Sequence, residues 1–299
     1  MKKISLFFSD FHCGSSVGLM PKMDYRRGNG GIYNPSHAQN IITDIFYECI
    51  NKFNDIIDKN TKGKKRPKII LNLVGDLCDG GNHHGSTQFV ISRLSEQRRI
   101  AIACVKYLIE SLNMKPGYDA VIFYSGTPSH SGDLCESEEV VARSFQDYVI
   151  PAIKPSSSND GKLTHNHLRY NTNGQIFDVK HRGATPGSRA WIRENSLLWT
   201  IKSLHIEEIL NSKEPTSWYI RAHNHQFTRA IYGNGNKQIT GIILPSFQLA
   251  TTYVYHMSRD IDTRFGSYGA FGVIVDDDGN ATEIFSHISI DKDDIAIAL

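Results

Sequence analysis

Seven residues of this chain are of types that bind transition metals or move protons, and they recur in one kind of place. Asp10 and His12 stand two apart just after an apolar run, KISLFFS. Asp76 ends a second run, IILNLVG, and His130 lies in GTPSHSG directly after a third, AVIFYSG. His181 follows IFDVK, and His223 and His225, again two apart, close SWYIRAHNH. If extended geometry continues past each strand, residues two apart project to the same side, so each pair can grip one ion. A carboxylate such as Asp76 has two oxygens and can bridge two cations, with Gly75 allowing close backbone approach. Any one of these histidines alone reads as an ordinary structural residue, and Asp76 alone as a turn or cap former. Their recurrence at successive strand ends is what a binuclear metal centre requires. Mixed nitrogen and oxygen donors suit Mn, with Fe, Zn or Ni as alternatives, better than Mg or Ca. Asp79 reads as a turn residue or a support for the ligands.

The elements that must position these residues follow from apolar periodicity. Residues 3–9, 69–75 and 120–126 are near-continuous apolar runs, as in strands covered on both faces. Apolar residues at helical spacing predict helices over 38–59, 88–113, 136–150 and 189–211. Residues 13–37, rich in Gly, Asn and Pro, predict a long loop. Further strands are predicted at IFDVKHRG, SWYIRAHNH, QITGIIL, FQLATTYVYH, GAFGVIVD and ATEIFSHISI. The β-α-β-α-β opening and the strand-rich second half predict an α/β sandwich, with two central mixed sheets flanked by helices. Candidate ligands come from both halves, so a single domain over 1–299 is expected.

Composition narrows the class. The chain has 299 residues, 40% hydrophobic and 21% charged, with a formal net charge of +2. That is an ordinary globular profile and gives no electrostatic case for a long nucleic-acid duplex. The five cysteines are odd in number and form no C-x-x-C pair, which excludes a disulfide framework and fits reduced thiols in the cytoplasm. The start, MKKISLFFSDFH, imitates a secretory signal, but its apolar run ends at Ser9 and no small-residue cleavage site follows. No apolar stretch is long enough to span a bilayer.

The order D-x-H, G-D, a loop ending in His, a lone His and an H-x-H pair resembles the calcineurin-like metallophosphoesterases. The resemblance runs from Asp10 to His225. GDLCDGGNHH, GTPSHSG, KHRG, RAHNH and LPSFQL resemble a branch found in bacteriophages and prophages. It implies two divalent ions: Asp10, His12 and His225 would hold one, Asp76 would bridge, and His181 and His223 would help hold the second. His130 would be the catalytic histidine. A hydroxide generated by the ions would attack phosphorus in line, with His130 donating to the leaving oxygen. One departure stands out. The family has Asn directly before the catalytic His, as a ligand of the second ion. Here that position is Ser129, and two extra residues separate Gly126 from His130. Thr127 or Ser129 can offer a neutral oxygen, though a hydroxyl reaches less far than an amide.

Substrate-binding candidates are Arg182, beside His181, and His83 and His84, after the Asp76 loop. Arg26, Arg27 and Arg189 read as solvated charges. Trp191, Trp199 and Trp218 read as core, and Cys13 and Cys78 as pointing away from the ligands. The implied partner is a phosphate ester, mono- or diester, of nucleotide type. The alternative is a nuclease acting on DNA or RNA, against which the near-neutral charge counts. An inactive metal-binding scaffold is a third reading, supported by the missing Asn and opposed by His130. No membrane partner and no oligomeric state are implied. The cytoplasm, including that of a phage-infected bacterium, is the expected location.

Overall fold

The computed structural model describes residues 1–22, 25, 31–63, 65–81, 90–132, 136–152, 161–186, 192–233, 238–251 and 265–291. The first half holds β1 (Lys3–Phe8), α1 (His37–Thr61), β2 (Lys68–Val74), α2 (Leu94–Ser111), β3 (Ala120–Tyr124), α3 (Pro128–Ser131) and α4 (Glu136–Arg143). The second half holds β4 (Thr164–His165), β5 (Leu168–Thr172), β6 (Gln175–Val179), α5 (Asn195–Leu210), β7 (Trp218–Arg221), β8 (Thr228–Tyr232), β9 (Ile239–Ile243), β10 (Phe265–Val275) and β11 (Ala281–Asp291). The strands form two mixed sheets. One has the order β11-β10-β1-β2-β3-β4 and the other β5-β6-β7-β9-β8. Strands β1, β2, β3 and β4 run parallel, as do β6, β7 and β9, while β5, β8, β10 and β11 pair antiparallel at the edges.

Strand alternation explains the layers. In β1, Ile4, Leu6 and Phe8 face α1 and α2, while Phe7 faces the other sheet. Phe8 meets Phe46 and Phe53 of α1 edge-on, at ring-centroid distances of 6.1 and 5.7 Å. Between the sheets, Phe7 stacks with Phe177 and Phe271 at 5.9 and 6.1 Å. Each such ring, fully buried, contributes on the order of 2–3 kcal/mol. Leu197 and Ile201 of α5 cover the outer face of the second sheet. The order is therefore helix, sheet, sheet, helix, with one apolar layer shared by both sheets. No described helix is long and apolar enough to cross a membrane.

Helix α1 starts where its sequence directs. Ser36 Oγ accepts from Gln39 N at 3.1 Å, and Gln39 Oε1 accepts from Ser36 N at 2.9 Å, a reciprocal cap. Other boundaries depart from periodicity for tertiary reasons. α2 begins at Leu94 rather than 88, because Val90 N and Ile91 N donate to Gly14 O across a loop contact. α4 ends at Arg143, and turns carry the chain to Val149, which bridges to Val121 of β3. α5 begins at Asn195. The predicted strand FQLATTYVYH is not a strand over 247–251. Phe247 N donates to Asp10 O (3.1 Å) and Leu249 N to Val17 O (2.9 Å), so this segment pins the first loop instead. Trp199, expected in the core, is 62% exposed on the outer face of α5.

Candidate metal centre

The parallel strands of both sheets deliver their following loops to one place, as open α/β sheets do at their carboxyl ends. The loop after β1 carries Asp10 and His12, and that after β2 carries Asp76, Asp79 and Gly80. The loop after β3 runs into α3 with Thr127 and His130. His181 follows β6, and His223 and His225 follow β7. Their donor atoms form three overlapping groups, each within 4.8 Å: Asp10, His12 and His225; His12, Asp76 and His130; Asp76, His181 and His223.

The backbone reaches this arrangement by left-handed turns, not by extended alternation. Asp10, His12, Asp76, His223 and His225 have φ of 54°, 44°, 50°, 74° and 52°. Eight non-glycine residues among those described have positive φ, and five of them are here. Each costs on the order of 1–3 kcal/mol and persists only where surrounding structure dictates it. Backbone hydrogen bonds do so: Asp10 N to Gly75 O and His12 N to Asp76 O, both 3.1 Å, and Cys13 N to Leu77 O, 3.0 Å. Gly75 (φ +78°) lies so close to His181 that an added Cβ would sit 2.6 Å from Nδ1. Cys13 and Cys78 point into the helix-side core, away from the ligands.

The electrostatics are those of donors brought together without a counterpart. Asp10 Oδ1 is buried with no hydrogen-bond partner among the described residues, although His225 Nε2 lies 3.3 Å and His12 Nε2 3.9 Å away. Those two ring nitrogens are themselves 3.2 Å apart. His12 Nδ1 donates to Asp79 Oδ1 (3.1 Å), which also accepts from Gln248 Nε2 (3.1 Å), so a lone pair is left at His12 Nε2. His181 is likewise fixed through Nδ1, but its other nitrogen meets a carboxylate. Nδ1 donates to Val74 O at 2.7 Å, and Nε2 faces Asp76 Oδ2 at 2.9 Å. A bare nitrogen against a carboxylate oxygen needs a proton or a cation between them. These residues therefore fit divalent metal ions.

Acidities follow the same contacts. Burial opposes ionisation of Asp10, but His225 and His181 outweigh it and bring the carboxyl down to about 2. Asp76 is likewise buried, yet His181 and His223 hold it well below the usual carboxylate range. Burial would make His181 less basic, but Asp76 outweighs this and lifts it to about 9. Burial and the neighbouring His130 pull His12 below the ordinary imidazole value.

His130 sits at the edge of the cluster, its ring edge-on to His12 with centroids 4.5 Å apart, and its Nδ1 bonds Asp79 O at 2.7 Å. Ser129 is not among the residues brought together. It is exposed, and its Oγ lies 3.3 Å from Thr127 Oγ1, the hydroxyl that does reach Asp76. Arg182 is exposed beside His181. His83, His84, Arg26, Arg27, Arg189, Trp191 and Cys135 lie outside the described residues.

Three supporting residues escape sequence reasoning. Gln97, on the buried face of α2, accepts from Gly80 N (2.8 Å) and donates to Gly80 O (3.0 Å) and Ile91 O (2.8 Å). Gln248 holds Asp79. Glu138 of α4 accepts from Leu77 N at 3.3 Å, beneath Asp76, and burial pushes its carboxyl up to about 7. The one sequence signal is a polar residue at an apolar helical position, which Gln97 and Glu138 both show.

No family model matches the sequence, and no curated protein matches it. Similar solved structures include a single-site variant of Vps29 from Entamoeba histolytica, at 9% identity and a TM-score of 0.31, covering 96% of this chain and 99% of that one. Another is a protein from Streptococcus pneumoniae described as a predicted phosphoesterase, at 10% identity and 0.30, covering 97% and 98%. A third is the sulfate thiohydrolase SoxB from Thermus thermophilus, in complex with glycerol, at 10% and 0.40. It covers 99% of this chain but 59% of the neighbour. Likenesses at this level carry no argument about activity, which rests on the side chains of this chain.

Proposed function

We propose that this chain is a metal-dependent phosphoesterase of the calcineurin-like kind, hydrolysing mono- or diesters of nucleotide type at a two-ion centre. One observation carries the reading: five loops from two sheets bring three carboxylate and imidazole groups together, with Asp76 shared by two of them. Asp10, His12 and His225 would hold one ion, His181 and His223 the other, and Asp76 would lie between. Bound there, two divalent ions would make a water more acidic and stabilise charge on the phosphoryl oxygens. Manganese is the first candidate, with Fe, Zn or Ni as alternatives.

The chain's own residues supply the rest. Asp79 orients two imidazoles, His12 through its carboxylate and His130 through its carbonyl. With Nδ1 committed to that carbonyl, His130 has Nε2 as the atom that exchanges a proton with a leaving oxygen. Arg182, exposed and next to His181 in the chain, would draw in an anionic substrate. The four described cysteines are free and buried, which fits a reducing compartment such as the cytoplasm of a bacterium or of a phage-infected host. The test is a screen of metal-stripped protein reloaded separately with Mn, Fe, Zn and Ni. Substrates would be a monoester, a diester, cyclic nucleotides and single-stranded DNA. Absence of phosphate-ester hydrolysis with every ion would sink the proposal.

A further inference from the structure

We infer that Thr127, rather than Ser129, supplies the neutral oxygen at the second ion position, beside Asp76, His181 and His223. The inference rests on the two-ion reading above. By sequence, Ser129 stands where an amide ligand would precede the catalytic histidine. In the fold, Ser129 is exposed and makes its contact with another hydroxyl, Thr127 Oγ1, at 3.3 Å. Thr127 is 1% exposed, and its Oγ1 lies 3.1 Å from both Oδ1 and Oδ2 of Asp76.

The oxygen Oδ2 is also the atom that the two histidines approach, His181 Nε2 at 2.9 Å and His223 Nδ1 at 3.9 Å. Donors sharing one ion at about 2.0–2.2 Å lie about 3–4 Å from one another. Three donors around Oδ2 meet that spacing, and Thr127 Oγ1 is the one hydroxyl oxygen among them. The backbone explains why this hydroxyl was chosen. Thr127 is extended (φ −81°, ψ 146°), and its N–H donates to Asp76 Oδ1 at 2.6 Å. That commits Oδ1 to the chain and leaves Oδ2 facing the histidines. Pro128 then starts α3, and the short helix carries Ser129 outward. A hydroxyl has one proton and two lone pairs, so Thr127 can donate to Asp76 and still present a lone pair to a cation. Being shorter than an amide, it makes the second position the weaker of the two.

The test reads metal binding without reference to activity. Calorimetric titration of metal-stripped protein with Mn should resolve two events. Thr127→Val, which keeps the backbone N–H, should weaken the second at least ~10-fold and leave the first within about 3-fold. Thr127→Ser should retain both, and Ser129→Ala should change neither. With Co(II), Thr127→Cys should create a thiolate-to-cobalt charge-transfer band absent from the parent protein, and Ser129→Cys should not. The cobalt spectrum decides the matter even if the valine variant fails to fold. The inference is overturned if Ser129→Ala weakens the second event, if Ser129→Cys gives the band, or if Thr127→Val leaves both affinities intact. A parent protein that takes up fewer than two ions overturns the two-ion reading itself, and that is seen before any variant is made.

Discussion

Ion binding at the second position should be steeply pH-dependent between pH 7 and 8, because the nitrogen that must face the ion carries a proton. His181 Nδ1 is fixed on Val74 O at 2.7 Å, which leaves Nε2 against Asp76 Oδ2 at 2.9 Å. Burial disfavours the imidazolium, but Asp76 outweighs it, lifting His181 from 6.5 to about 9. An ion takes Nε2 only after that proton leaves. With a value near 9, the unprotonated fraction grows from about 1% at pH 7 to about 9% at pH 8, so apparent affinity should rise about ninefold. An imidazole at 6.5 would give only about 1.3-fold over the same interval. His12 adds nothing to this slope, since burial and His130 already hold it below the ordinary value. Titration calorimetry in two buffers of different ionisation enthalpy should show about one proton released with the second ion. An affinity change below about twofold, with no proton released, would refute the reasoning. His181→Asn should abolish the dependence together with the second event.

In metal-free protein the same pair bears on stability. Because the folded value of His181 lies above 6.5, its contribution is full below pH 6.5 and is lost as pH rises through about 9, roughly 3 kcal/mol in all by urea unfolding. Asp10 acts oppositely: its contribution is present above pH 3.8 and lost as pH falls through about 2. His130→Gln should cost about 100–10,000-fold on an alkyl ester and far less on a nitrophenyl ester, with metal content unchanged; equal losses and a missing ion would make His130 a ligand instead. Gln97→Leu strips partners from Gly80 N, Gly80 O and Ile91 O and should lower unfolding stability by about 2–5 kcal/mol, whereas a loss under about 0.5 kcal/mol would show that the turn holds itself. Limited proteolysis should yield no folded fragment of residues 1–155, because Phe7, Ile122 and Tyr124 share their apolar layer with Phe177, Trp218 and Ile242.

The strands were legible because parallel, doubly covered strands are apolar along their whole length, as KISLFF, KIILNLV and AVIFY are. Edge strands were not. LRYNT and TRAIY alternate weakly and are only partly buried, and neither β5 nor β8 was anticipated. Helix ends missed wherever a backbone group had a distant partner, as Val90 and Ile91 have in Gly14. Residue types and order at strand ends foretold which side chains would meet, but not how. Same-side projection of Asp10 with His12 was argued from extended backbone, and the meeting is made by left-handed turns locked to the next strand's loop. The resemblance set Ser129 at the position of the neutral ligand and left Thr127 as an alternative; in the fold, the hydroxyl against Asp76, just before the proline-started turn of α3, is that of Thr127. Such turns depend on three-dimensional hydrogen bonding, which periodicity does not encode.

Two ions, one held by Asp10, His12 and His225 and the other by Asp76, His181 and His223, with Asp76 between them, are the core of the proposed function. The most direct measurement is anomalous scattering from crystals of the protein saturated with Mn. Two peaks about 3.5–4 Å apart are expected, one among Asp10, His12 and His225 and the other among Asp76, His181 and His223. A single peak, or peaks away from these side chains, would contradict it.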